Sequence, residues 1–129
     1  MKFICLGYHD PKKWQHLTEK ERDVLVDECF TYDDELRRNG HFAGGEALDD
    51  PSTAKTLRYS NKRLSATDGP YAETKEQLGG ILILEADSLE HAVELMSKHP
   101  GVKNGPFEIR PAVSLDQMIA ESEKRRSKQ

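Results

Sequence analysis

Cysteine is scarce in this chain, and its two copies, Cys5 and Cys29, lack the CxxC spacing of redox and zinc motifs. Both read as small buried hydrophobes, and nothing in the sequence lowers the thiol pKa of Cys29 toward a nucleophile's role. The five histidines, His9, His16, His41, His91 and His99, form no HxxxH or HExxH pattern. No metal centre is expected from them. A Walker loop, a GxSxG elbow and a dinucleotide fingerprint are also missing, so no cofactor is expected and triad hydrolysis has no support. Positive charge is in deficit, with 19 Lys and Arg against 23 Asp and Glu and a net charge of -4. Such a chain has no field for holding a phosphate backbone, which argues against nucleic acid as a partner. Long apolar runs are absent too. "MKFICLGYHDPKKW" returns to charge before a signal-peptide core or membrane span can form, so a cytoplasmic protein without a membrane partner is expected.

What is present suits one soluble domain: 129 residues, 36% hydrophobic and 33% charged. "KFICLGY" is apolar on both alternating faces and reads as a buried strand ended by the polar "HDPKK". A helix follows over residues 18 to 39, opened by a Thr18–Glu21 capping box and closed by Arg37, Arg38 and Gly40, with a stripe through Leu25, Cys29, Tyr32 and Leu36. "HFAGGEAL" reads as a strand in which Gly44-Gly45 marks a bulge or a close approach of backbone or ligand. "TAKTLRYSNKRLSAT" reads as an exposed hairpin about Ser60-Asn61. "GGILILEA" is the next strand. A helix capped by Asp87 or Ser88 then runs to Pro100-Gly101, with His99 in its last turn offsetting the helix dipole. "PFEIRPAV" alternates as an edge strand, and a Ser114–Gln117 capping box opens a short helix that frays into the basic, solvated "EKRRSKQ". The domain spans residues 1–113, with the short C-terminal helix and polar tail at 114–129.

Without the hairpin, the order strand, helix, strand, strand, helix, strand is that of a ferredoxin-like split βαβ sandwich, an α+β fold. Its central strands are the first and third, here "FICLGY" and "ILIL", the two that are apolar on both faces. Two helices cover only one face of such a sheet. A second copy packed on the other face about a two-fold axis would bury it, so a homodimer through the sheet face is expected.

"DGPYAETKE", residues 68 to 76, supports two readings. As a turn, Asp68 accepts backbone N–H groups, Gly69 supplies unusual dihedrals and Pro70 fixes the chain. As a site, the loop crosses the mouth of a cavity, where Asp68 or Glu73 acts as a base and Lys75 binds an anion. Glu46 and Arg110 would complete an acid and cation set, or else form a cross-sheet ion pair. His9, followed by Asp10 at the end of the first strand, is a secondary acid–base candidate.

"GGEAL", "TDGPYAETKEQLGGILILEA" and "FEIRPAV" together resemble the YCII-like family, in its branch known for a DGPF motif, with Tyr71 standing where the motif usually has Phe. The resemblance reaches to about residue 113 and implies a dimeric α+β barrel. Some smaller relatives are proposed to use a His–Asp pair with the His on the first helix, and at least one is a dehydrochlorinase, a lyase. Residues 18 to 39 contain no histidine, so that pair is not carried over. Relatives of the branch are often encoded beside alternative sigma factors. Two functions follow as expectations. One is a cofactor-free lyase or isomerase moving protons on a small anionic organic acid, with Asp68, Glu73 and Lys75 at the chemistry and Tyr71, Glu46, Arg110 and His9 on the ligand. The other is a non-catalytic metabolite-sensing or protein-interaction module tied to transcription.

Overall fold

The doubly apolar segments become the middle of a sheet. In a computed structural model, which describes residues 1–128, the main sheet has the order β2-β5-β1-β6, with β1 at Lys2–His9, β2 at Phe42–Ala47, β5 at Gln77–Glu85 and β6 at Phe107–Pro111. All its neighbours are antiparallel. Register fixes the faces, because directly paired residues point the same way. Phe3 pairs with Leu84 and Cys5 with Leu82, and these four are buried. Leu36 of α2 (Glu19–Arg38), Ala86 just past β5, and Ala92 and Met96 of α3 (Leu89–Ser97) complete their cluster. Ile4 with Ile83 and Leu6 with Ile81 form the opposite face, which stays only partly covered.

Local signals explain the helix ends. Thr18 and Glu21 exchange the two bonds of a capping box at α2, and Ser88 accepts from the His91 amide at the start of α3. Gly40, just past α2, has a φ of 78°, the left-handed conformation that ends helices. "HDPKK" is more than the expected strand stop. Asp10 accepts from the Lys12 amide and Pro11 occupies the first turn of α1, Pro11–His16. At the other end, the expected Ser114–Gln117 box is not made. Leu115 occupies the cap of α4 (Asp116–Ser127), and Ser114 bonds only the Asp116 amide.

The hairpin forms its own two-stranded sheet, β3 (Lys55–Ser60) and β4 (Arg63–Asp68). Its turn centres on Asn61 and Lys62, one residue beyond the expected Ser60-Asn61, with φ of 51° and 62°. Two positive values in succession match the right-handed twist of the strands. Leu57, Tyr59 and Leu64 stand exposed on it. No helix among the described residues is long and apolar enough to cross a membrane.

Candidate functional site

The face of the sheet beneath α2 is filled row by row. Phe3–Leu84–Phe42 and Cys5–Leu82–Gly45 supply the first two rows, and the next is Phe107–Gly7–Gly80–Ala47. Two glycines at the centre of that third row leave no side chain between sheet and helix. A cleft of about 580 Å³ opens there, with Trp14, Phe30, Phe42 and Phe107 among its walls. A Cβ on Gly7 would stand 2.8 Å from the Phe107 ring, and one on Gly80 would stand 3.1 Å from the Glu46 carbonyl. The glycines thus permit close backbone packing and hollow the cleft at the same time.

Asp33 and Cys29, one turn apart on α2, face the cleft from above, and His99 meets them from below α3. His99 is not in the last turn of that helix, which ends at Ser97. It caps the 3-10 turn Pro100–Lys103, its Nδ1 accepting from the Gly101 amide at 3.0 Å. Its Nε2 stands 2.9 Å from the Asp33 Oδ1, with side chains 8% and 17% exposed. Tyr32 and Phe107 hold the ring edge-on, at centroid distances of 5.6 and 5.5 Å. A ring that accepts at Nδ1 carries its proton on Nε2 and donates to the carboxylate. Burial works against a charged His99, yet the hydrogen bond to Asp33 and the charge of that carboxylate, with the nearby Cys29 acting in the same direction, raise its pKa from 6.5 to about 9. The Gly101 amide pulls the other way, because only a neutral ring can receive it. Protonation of His99 therefore costs the cap of the 3-10 turn.

The remaining charges of the cleft are distinct in kind. Arg37 lies over the Phe42 ring, 4.1 Å from its centroid, and pairs with Asp34 at 2.9 Å. The His9 ring covers Gly79, where any Cβ would collide with it. Cys5 lies in the core instead, and burial pushes its thiol up to about 11. Among the described residues no three His, Cys, Asp or Glu are grouped to hold a metal ion.

The residues singled out from sequence are dispersed. His9 lines this cleft, whereas Glu46 borders it only with its backbone, because its pairing with Ile81 turns the side chain to the opposite face of the sheet. Asp68, Glu73, Tyr71 and Arg110 do not line it, and Lys75 lines a different one. Asp68 does not receive the backbone N–H groups expected of a turn: its carboxylate is 83% exposed and pairs with Lys55 at the base of the hairpin. Glu73 is exposed on the loop, and so is Tyr71, whose carbonyl accepts from Arg58 at 2.9 Å. Glu46 and Arg110 do not form the cross-sheet pair. They sit on the two opposite edges, β2 and β6, about 14 Å apart at the usual strand spacing, and Arg110 pairs with Glu108 of its own strand. Asp10, next to His9, is spent on capping α1. The pair that forms instead, Asp33 with His99, joins α2 to a histidine outside it. The signal that could have indicated it is "HPG", a side chain before Pro and Gly that reads as a turn cap.

The profile of the YCII-related domain matches residues 1–116. An uncharacterized protein of Rhizobium meliloti is 28% identical over 115 residues, covering 86% of this chain and 91% of that protein. Among solved structures, the 5-chloro-2-hydroxyhydroquinone dehydrochlorinase of Burkholderia phenoliruptrix, in complex with 2,5-dihydroxybenzoquinone, superposes with a TM-score of 0.52. The match is 17% identical and covers 88% of this chain and 94% of that one. At that identity the likeness concerns the fold.

Proposed function

Since this chain belongs to the YCII-related domain family, we propose that it binds a small organic acid in the cleft beneath α2 and moves a proton on it without a cofactor, as a lyase or isomerase. One observation carries the reading: a carboxylate and an imidazole, both largely buried and hydrogen-bonded to each other, face a cavity with a glycine floor and aromatic walls. Both nitrogens of His99 are engaged, so the group presented to a ligand is the second oxygen of Asp33. That carboxylate accepts the substrate proton, and His99 positions it and stabilises its charge. Returning the proton to a neighbouring carbon gives an isomerisation. Loss of a leaving anion, with a double bond formed, gives an elimination. Arg37 is the cation nearest to hand for the acid's own charge. In this reading Asp33 and His99 take the place given from sequence to Asp68, Glu73 and Lys75, and His9 remains on the cleft wall.

The order β2-β5-β1-β6 supports a ferredoxin-like layout, in which the hairpin is an insertion. The partly covered row of Ile4, Leu6, Ile81 and Ile83 supports a homodimer closed through that face. "DGPYAETKE" supports the DGPF branch.

Trp14, the one tryptophan, lines the cleft and provides the test. The fluorescence of the intact chain is followed while 2,5-dihydroxybenzoquinone, an acidic enol, is added. A saturable change that weakens in Asp33→Asn and His99→Gln supports the reading. A linear response, or equal saturation in all three proteins, overturns it.

A further inference from the structure

A second cleft, of about 760 Å³, adjoins the first, and three segments far apart in sequence build it. α1 brings Lys12, Lys13 and His16, the residues before β5 bring Lys75 and Glu76, and the chain leading into β6 brings Lys103. Backbone pairing sets this convergence. His9 at the end of β1 is paired with Gln77 at the start of β5, which puts Lys75 and Glu76 beside the start of α1. Gly105 packs so closely on the Tyr8 carbonyl that no Cβ fits between them, and the Tyr8 amide donates to Pro106 at 2.9 Å, which fixes the segment carrying Lys103.

The cleft is a local exception to the charge of the chain. Four lysines face two carboxylates there, in a protein whose net charge is -4. Asp10 is further occupied by capping α1. Among the described residues none of the four ammonium groups is in a salt bridge. Like charges held around a concave surface repel one another, and an anion relieves them while the walls focus the field. Lys75 also belongs to "DGPYAETKE", where the site reading from sequence has it bind an anion. The two clefts meet at Asn104, which lines both, and at the consecutive residues His9 and Asp10.

We propose that the lysine-lined cleft is an anion subsite that takes a phosphate or carboxylate group of a ligand whose reacting end occupies the Asp33–His99 cleft. The subsite stands on its own geometry, and only the identity of the reacting end rests on the proton-transfer reading. It narrows the substrate class to elongated organic acids with an anionic group beyond the reacting carbon.

Inorganic pyrophosphate and citrate are the probes, titrated separately into the isotopically labelled full chain while amide resonances are followed. Saturable shifts confined to the amides around Lys13, Lys75, Lys103 and Asn104 are expected. Tighter binding of pyrophosphate marks a phosphate subsite and tighter binding of citrate a carboxylate one. The Lys75→Glu, Lys103→Glu double variant should lose about tenfold or more in affinity, whereas Lys124→Glu on α4 keeps the wild-type value. Asp33→Asn should also keep it, which separates this proposal from the proton-transfer reading. If Lys75→Met, Lys103→Met, which removes charge without reversing it, binds both probes as wild type does, the proposal is overturned. So too if shifts scatter over lysines throughout the chain, or if neither probe saturates.

Discussion

Asp33 and His99 lie 66 residues apart in the chain and 2.9 Å apart in the fold. The contact ties α2 to the 3-10 turn before β6 and gives the cleft its only largely buried acid–base pair among the described residues. A raised imidazole pKa makes the pair a source of pH dependence. The folded value of about 9 exceeds the ordinary 6.5, so its contribution is complete below pH 6.5 and is lost as pH rises through 9. Up to about 3 kcal/mol is involved, reduced by what the Gly101 amide withholds. Urea melts between pH 6 and 10 should show this decline, and Asp33→Asn should flatten it. A His99 ring resonance titrating at or below 6.5 would show that the Gly101 amide governs the ring instead.

Gly105 and Gly7 should respond differently to alanine. At Gly105 the new carbon meets the Tyr8 backbone, which cannot move without breaking the sheet, so a loss of about 3 kcal/mol or more is expected. At Gly7 it meets the Phe107 ring, which can turn. A cost nearer 1 kcal/mol is expected there, together with weaker ligand binding as the methyl fills the cleft. Chemical denaturation of both variants gives the comparison, and equal losses would contradict it.

Asp68→Ala should change stability by no more than about 0.5 kcal/mol, since an exposed ion pair with Lys55 contributes little. Gly69→Ala, at a φ of 94°, should cost about 1 kcal/mol or more. Thermal melts showing the reverse order would restore Asp68 as the residue that holds the turn.

Sedimentation at micromolar concentration should give a dimer of the 14.6 kDa chain, and Ile83→Asp, on the partly covered face, should give monomers. A monomeric wild-type protein would rule out the sheet-face pairing.

Truncation before Glu121 should leave the melting temperature within about 2 °C of the full chain, because α4 has no buried residue. A larger loss would show that the helix docks on a second copy.

Legibility from sequence followed the range of the interaction. α2 was readable because its capping box and apolar stripe are local. So were β1 and β5, whose apolar runs demanded burial on both faces. α1 was missed because six residues carry no periodicity, leaving only the Asp10-Pro11 start as its sign. The Asp33–His99 pair was missed because no spacing rule links residues that only tertiary packing joins. The dense charges of "DGPYAETKE" drew attention to Asp68 and Glu73, but charge density says nothing of burial, and both side chains are exposed. Asp33 stands in the run Asp33-Asp34-Glu35, and nothing in that run marks the one carboxylate whose partner is enclosed by Tyr32 and Phe107.

The β3–β4 hairpin is fastened at its root, where the Gly69 amide donates to the Ala54 carbonyl at 2.7 Å and the Thr56 hydroxyl to the Gly69 carbonyl at 2.8 Å. Chain enters and leaves through one stapled point, so the segment between can lengthen or shorten without disturbing the four strands behind it. In engineering terms it is a handle, a place to graft a reporter or binding peptide at a distance from the glycine-floored cleft.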